Sequence, residues 1–218
     1  MNLGTRSLPI GLAAVLLGLV AQPAAAQRMS GEEIIDALKN GGYVLVMRHA
    51  PASLEAARAG RGGGGFGFGG GGGGGRRGGG APAPEPTEEA LEPMSVAMLT
   101  GMRHAIWHFN IPVGAIYTSP TRPTREQAEE IPFADIMIVD ELGLDAADSG
   151  WLAAKLAEAP MAGSNTIIVT HSPNIDSDLG LGNVALGETL VVRPGAEPGV
   201  VGRLGLREWS VLAIELGS

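Results

Sequence analysis

The sequence predicts a three-layer α/β/α sandwich on a mainly parallel sheet, and three observations carry that prediction. Short apolar, β-prone runs alternate with helical stretches along the chain. The runs at 44–47 (VLVM) and 167–169 (IIV) lack polar alternation, which marks strands covered on both faces. Both end in chemistry, at Arg48-His49 and at His171, and ligands of open α/β sheets gather beyond the carboxyl ends of strands.

The elements follow in order. Residues 1–26 carry one cation (Arg6), an apolar stretch from Leu8 to Val20 and Ala24-Ala25-Ala26, the pattern of a cleaved secretory signal that leaves Gln27 first. The stretch is short for a bilayer span, which needs roughly 20 apolar residues, so no stable membrane insertion is expected after cleavage, and the destination is the periplasm or the medium. Ser30 and Glu33 form a capping-box pattern that opens a helix ending before Gly41-Gly42. The strand 43–48 follows.

Residues 59–80 then hold sixteen of the 35 glycines, with Arg61, Arg76, Arg77, Phe66 and Phe68 among them. Glycine loses the most backbone entropy on folding and buries no side chain, so a disordered insertion is expected at about 59–86, its Pro-alternating end extended. A tolerated loop expansion is the plain reading; an interaction segment displayed on an inert scaffold is the other. Next come a helix from Pro93 to Phe109, a strand in GAIYTSP and a helix in TREQAEEI. A short strand DIMIVD and a helix WLAAKLAEA capped by Ser149 follow. The strand NTIIVTH is next, and then ETLVVRP and VVGRLGLREW, read as two strands. Without leader and insertion about 160 residues remain, one domain's worth.

Composition excludes several classes. The chain has no cysteine, which removes disulfides, thiolate catalysis and zinc–sulfur sites. Its net charge is −8, and −9 once Arg6 is lost with the leader, so nucleic acid is not an expected partner, since phosphate backbones demand Lys and Arg. A small phosphorylated substrate needs only a local positive pocket. His104 and His108, four apart on a helix, read as helix-face residues, because Ala105 stands where a zincin has its Glu. Trp107, Trp151 and Trp209 read as packing residues, and no chemistry attaches to Glu188.

Three strand ends thus deliver His49 with Arg48, Ser119-Pro120 with Arg122 and Arg125, and His171 to one edge of the sheet. Cations converging there suggest an oxyanion pocket with phosphate as the expected ligand. The segments LVMRHA, YTSPTRPTREQAEEI and IIVTHSPNI resemble, in order and spacing, the signatures of the histidine phosphatase superfamily, also called phosphoglycerate-mutase-like. The resemblance covers roughly residues 40–215, interrupted by the glycine tract. It implies a phosphoglycerate mutase-like fold and a phosphatase without metal or cofactor. His49 would be the nucleophile that becomes phosphohistidine, Arg48 would bind phosphoryl oxygens, and His171 would complete the pocket. Transferring phosphoryl groups spread charge over three oxygens, so positioning and electrostatics do most of the catalysis.

The sequence departs from the family pattern twice. Pro123 stands at the second motif's arginine position, so Arg122, or failing it Arg125, would have to reach the anion. The leaving-group acid is not marked; Glu141 is the candidate, with Asp140 behind it, and solvated loop carboxylates are the alternative. An anion-binding module with weak or no turnover therefore stands beside the phosphatase reading. A mutase is disfavoured, because nothing resembles the longer loops that hold a bisphosphate.

Overall fold

The computed structural model describes residues 28–52 and 85–215. The expected leader falls outside them, as does the glycine-rich insertion up to residue 84. Helix α1 (Gly31–Lys39) starts from the expected capping box: Glu33 N donates to Ser30 Oγ at 3.3 Å and Ser30 N donates to Glu33 Oε2 at 2.7 Å. The chain turns through Gly41, whose positive φ and close approach to the backbone of Gly163 and Ser164 leave no room for a Cβ. Strand β1 (Val44–Arg48), α2 (Pro93–His108), β2 (Val113–Thr118), α3 (Arg122–Glu129) and β3 (Ile136–Ile138) follow. Two single 3-10 turns, Asp140–Leu142 and Leu144–Ala146, lead to α4 (Trp151–Ala157), β4 (Asn165–Thr170), α5 (Ser172–Leu179), β5 (Thr189–Arg193), β6 (Gly199–Leu204) and α6 (Leu206–Glu215).

The strands form one sheet in the order β3-β2-β4-β1-β5-β6. The first four are mutually parallel; β5 adds antiparallel to β1, and β6 pairs antiparallel with β5 to complete a hairpin at that edge. Alternation along β1 shows why its sequence is uniformly apolar. Leu45 and Met47 face a core with α1, α2, α3 and α6, while Val44 and Val46 face a second core with α4 and α5. The three-layer sandwich with a mainly parallel sheet is thus the observed architecture. The chain runs β1-α2-β2-α3-β3 along one face, and α4 then carries it across the other to insert β4 between β1 and β2. That reversal places the crevice at the carboxyl ends of β1 and β4.

Four local expectations shift. Helix α3 begins at Arg122 rather than Thr124, with Pro123 in its first turn, where a missing N–H costs nothing. Residues 172–179 are helical, a stretch too short to show a period from sequence, and His171 is its N-cap residue. The run 200–209 is not one strand: it breaks at Gly205, and α6 carries Trp209 into the core, fully buried, its Nε1 donating to Thr189 Oγ1 at 3.3 Å. Ser149 caps α4 from one residue further out, accepting from Trp151 N at 3.3 Å, because Gly150 takes the left-handed N-cap position.

Candidate active site

The parallel register pairs Arg48 with Thr170, so the residues that follow, His49 and His171, emerge side by side from adjacent strands. The ladder continues one step further, with His49 N donating to Thr170 O at 3.1 Å. Both rings are fully buried, their centroids 5.2 Å apart and their planes inclined at 64°.

Each imidazole is fixed from behind. His49 Nδ1 lies 2.8 Å from Ala50 O, and a carbonyl only accepts, so Nδ1 carries hydrogen and Nε2 faces the crevice. The loop after β1 is braced by α3, because Ala50 N donates to Gln127 Oε1 at 2.6 Å. His171 Nε2 lies 3.1 Å from Ser119 Oγ and 3.0 Å from Thr121 Oγ1, while the Thr124 hydroxyl donates to Ser119 O and ties that turn together. With the two hydroxyls at Nε2, the ring turns Nδ1 into the crevice, where that atom is buried and without a hydrogen-bond partner. Burial depresses the His171 pKa, against the pull of Glu85; the charges of His49 and Arg48 act with burial, and the ring stays neutral.

Arg48 points into the same space, its Nη1 donating to Val184 O at 2.7 Å and its Nη2 to Glu85 Oε1 at 2.8 Å. Glu85 itself comes from APAPEP, inside the tract expected to be disordered to about residue 86, and the sequence pattern alone does not place it in the site. It is the only carboxylate between residues 59 and 86, which is the one signal that singles it out. Its Oε2 lies 2.7 Å from His49 Nε2 and 3.9 Å from His171 Nδ1, and Ser172 N, at the start of α5, donates to Oε1 at 3.4 Å. Burial alone would raise the Glu85 pKa; the imidazoles of His171 and His49 and the Arg48 guanidinium outweigh it, and the carboxyl is held below the usual carboxylate range.

The other expected site residues lie elsewhere. Arg122 pairs with Glu126 at 2.7 Å on the exposed face of α3, and Arg125 is exposed on the same helix. Neither bonds to the crevice carboxylate. Pro123 is buried, and the hydroxyl of Thr121 rather than a second guanidinium borders the pocket beside His171. Glu141 and Asp140 are exposed on the 3-10 turn after β3, with the Glu141 carbonyl accepting from Ser149 Oγ at 2.9 Å. Glu188 braces the loop behind Arg48. Its carboxylate accepts from Ala185 N and Arg203 Nη1, and its carbonyl accepts from Arg48 N.

His49, Glu85 and His171 bring three ligand-type atoms within 4.8 Å of one another, a donor set that a divalent cation takes. The Arg48 guanidinium on the same carboxylate opposes a cation there and favours an anion. His104 and His108 stack with centroids 5.9 Å apart, and among the described residues no third ligand joins them.

One guanidinium, two crevice-facing imidazole nitrogens and a helix N-terminus around a bound carboxylate define an oxyanion pocket at a parallel-sheet edge. Among solved structures the chain is similar in fold to several phosphatases. One is the protein histidine phosphatase SixA complexed with tungstate, at 13% identity and a TM-score of 0.49 over 76% of this chain and 97% of that one. Another is phosphoserine phosphatase from Entamoeba histolytica in complex with 3-phosphoglyceric acid, at 11% identity and a TM-score of 0.47 over 77% of this chain and 98% of that one. No family model matches the chain, and no curated protein matches it significantly.

Proposed function

We propose that the protein is an exported phosphatase that hydrolyses a phosphomonoester or a similar small phosphorylated group through a phosphohistidine on His49. The observation that carries this reading is the facing pair His49–His171, 5.2 Å apart, with Arg48 aimed into the space between them. Export rests on the leader-like residues 1–26 alone.

The Nδ1–H bond to Ala50 leaves Nε2 as the reactive nitrogen, and one proton lies between Nε2 and Glu85 Oε2. When that proton passes to the carboxylate, the Nε2 lone pair is free to attack phosphorus. An N–P bond forms as the P–O bond to the leaving group breaks, and Glu85, now a carboxylic acid, returns the proton to the departing oxygen. Arg48, His171 Nδ1–H and Ser172 N–H hold the equatorial oxygens. Water then attacks the phosphohistidine, losing a proton to Glu85, and the N–P bond breaks to release inorganic phosphate. Glu85 thereby takes the proton-donor role that the sequence suggested for Glu141.

The second reading is an anion-binding module without turnover, favoured by Pro123 in place of a second cation. One experiment separates the two. The mature chain should hydrolyse p-nitrophenyl phosphate in the presence of chelator, and His49→Ala should lower kcat by at least about three orders of magnitude. Wild-type turnover equal to that of His49→Ala, with phosphate still bound, establishes the binding module instead.

A further inference from the structure

Besides carrying a proton, Glu85 occupies the space that a substrate needs. Its carboxylate lies against the donors that a phosphoryl group requires. Oε1 accepts from Arg48 Nη2 at 2.8 Å and Ser172 N at 3.4 Å, and Oε2 meets His49 Nε2 at 2.7 Å. An attacking nitrogen and a carboxylate 2.7 Å away leave no space for phosphorus between them. The carboxylate is also an imperfect occupant. Having two oxygens, it leaves His171 Nδ1, 3.9 Å from Oε2, without a hydrogen-bond partner, and Arg48 Nε is also buried and unpartnered. A tetrahedral anion brings the additional oxygen that such donors call for.

We propose that Glu85 is a built-in competitor of the phosphoryl group, so that the pocket rests in a self-occupied state and substrate binds only as the carboxylate swings away from Arg48. The proposal rests on the phosphoryl-pocket reading and adds a regulatory step to it. The tether is short. Thr87 O accepts from Arg122 N at 2.8 Å, Leu91 N donates to Glu126 Oε2 at 2.7 Å, and Glu92 N donates to Pro51 O at 3.0 Å. The segment is therefore pinned to α3 and to the loop after β1 from residue 87 onward. Displacement needs only the Glu85 side chain and its Pro86 neighbour to move. Apparent affinity for any tetrahedral anion is then reduced by the fraction of molecules whose pocket is free.

The test is calorimetric titration of the full mature chain with tungstate and with inorganic phosphate, beside Glu85→Ala and Glu85→Gln, each checked for folding by circular dichroism. Both variants should bind tungstate about tenfold or more tightly than the wild type. Equal or weaker binding by the folded variants overturns the competitor role and leaves the phosphoryl pocket standing. Absence of binding in all three proteins overturns both. Should neither variant fold, wild type carrying 13Cδ-labelled glutamate decides the matter. Saturating tungstate should move one carboxyl resonance out of its buried environment, and a spectrum unchanged at saturation overturns the proposal.

Discussion

Arg48, His49 and His171 hang from β1 and β4, each of which is hydrogen-bonded to a strand on both sides. Glu85, facing them across the pocket, comes from a connecting segment whose ties begin at Thr87. The strand-end side is backed by residues with no exposure, Met47, Val169 and Thr170 among them, and cannot shift without disturbing the sheet. The connecting side has a single carboxylate and a handful of hydrogen bonds. The difference separates permanence from exchange: the sheet presents donors at fixed positions, and the connection supplies an anion that can be replaced.

The largest effect is expected from removal of a fixed donor. Arg48→Ala should lower kcat/KM for p-nitrophenyl phosphate by roughly two orders of magnitude, about 3 kcal/mol of transition-state stabilisation. It should also abolish measurable tungstate binding, since the only guanidinium bonded to the pocket carboxylate among the described residues is lost. A variant that retains wild-type tungstate affinity would show that the pocket is organised by the imidazoles alone.

A smaller effect comes from acid. The folded-state Glu85 pKa lies below its unfolded value, so its stabilisation is fully present above the unfolded carboxylate value of about 4.3 and drains away as pH falls below it. His171 acts in the same direction one step earlier. Its depressed folded pKa means that the unfolded chain takes up a proton first as pH falls through about 6.5, which also costs stability. Urea midpoints measured between about pH 4.5 and 3 should therefore fall more steeply for the wild type than for Glu85→Gln, with the His171 contribution above that window common to both. Parallel curves would mean that the buried carboxylate is not held by its cationic neighbours.

The same contrast explains how much of the site the sequence discloses. His49 and His171 were legible because two-sided burial makes a parallel strand uniformly apolar, and a polar residue ending such a run has only the sheet edge to occupy. Glu85 was hidden because a Pro-alternating stretch after a glycine tract carries no periodicity, and its place in the pocket depends on the path of the chain in three dimensions. Helix α5 was hidden for a related reason. Ser172–Leu179 is two turns with Pro173 near its start, too brief to show a hydrophobic period. The boundary at Gly205 was lost because VVGRLG and LREWSV are both apolar enough to pass as one strand.

The smallest expected effect is the most informative about the missing second cation. If Arg122 reached the anion, its loss would resemble that of Arg48. Its guanidinium instead lies 2.7 Å from Glu126 one helical turn along, on a face of α3 that is about half exposed, and such pairs contribute under about 1 kcal/mol. Arg122→Ala should therefore change kcat/KM by no more than about twofold, because an exposed charge is screened by solvent. Arg125→Ala should behave likewise, its side chain lying on the same exposed helix. A drop of two orders of magnitude for either would mean that substrate draws α3 inward on binding. The side of the pocket that now exchanges its anion would then include this helix as well as Glu85.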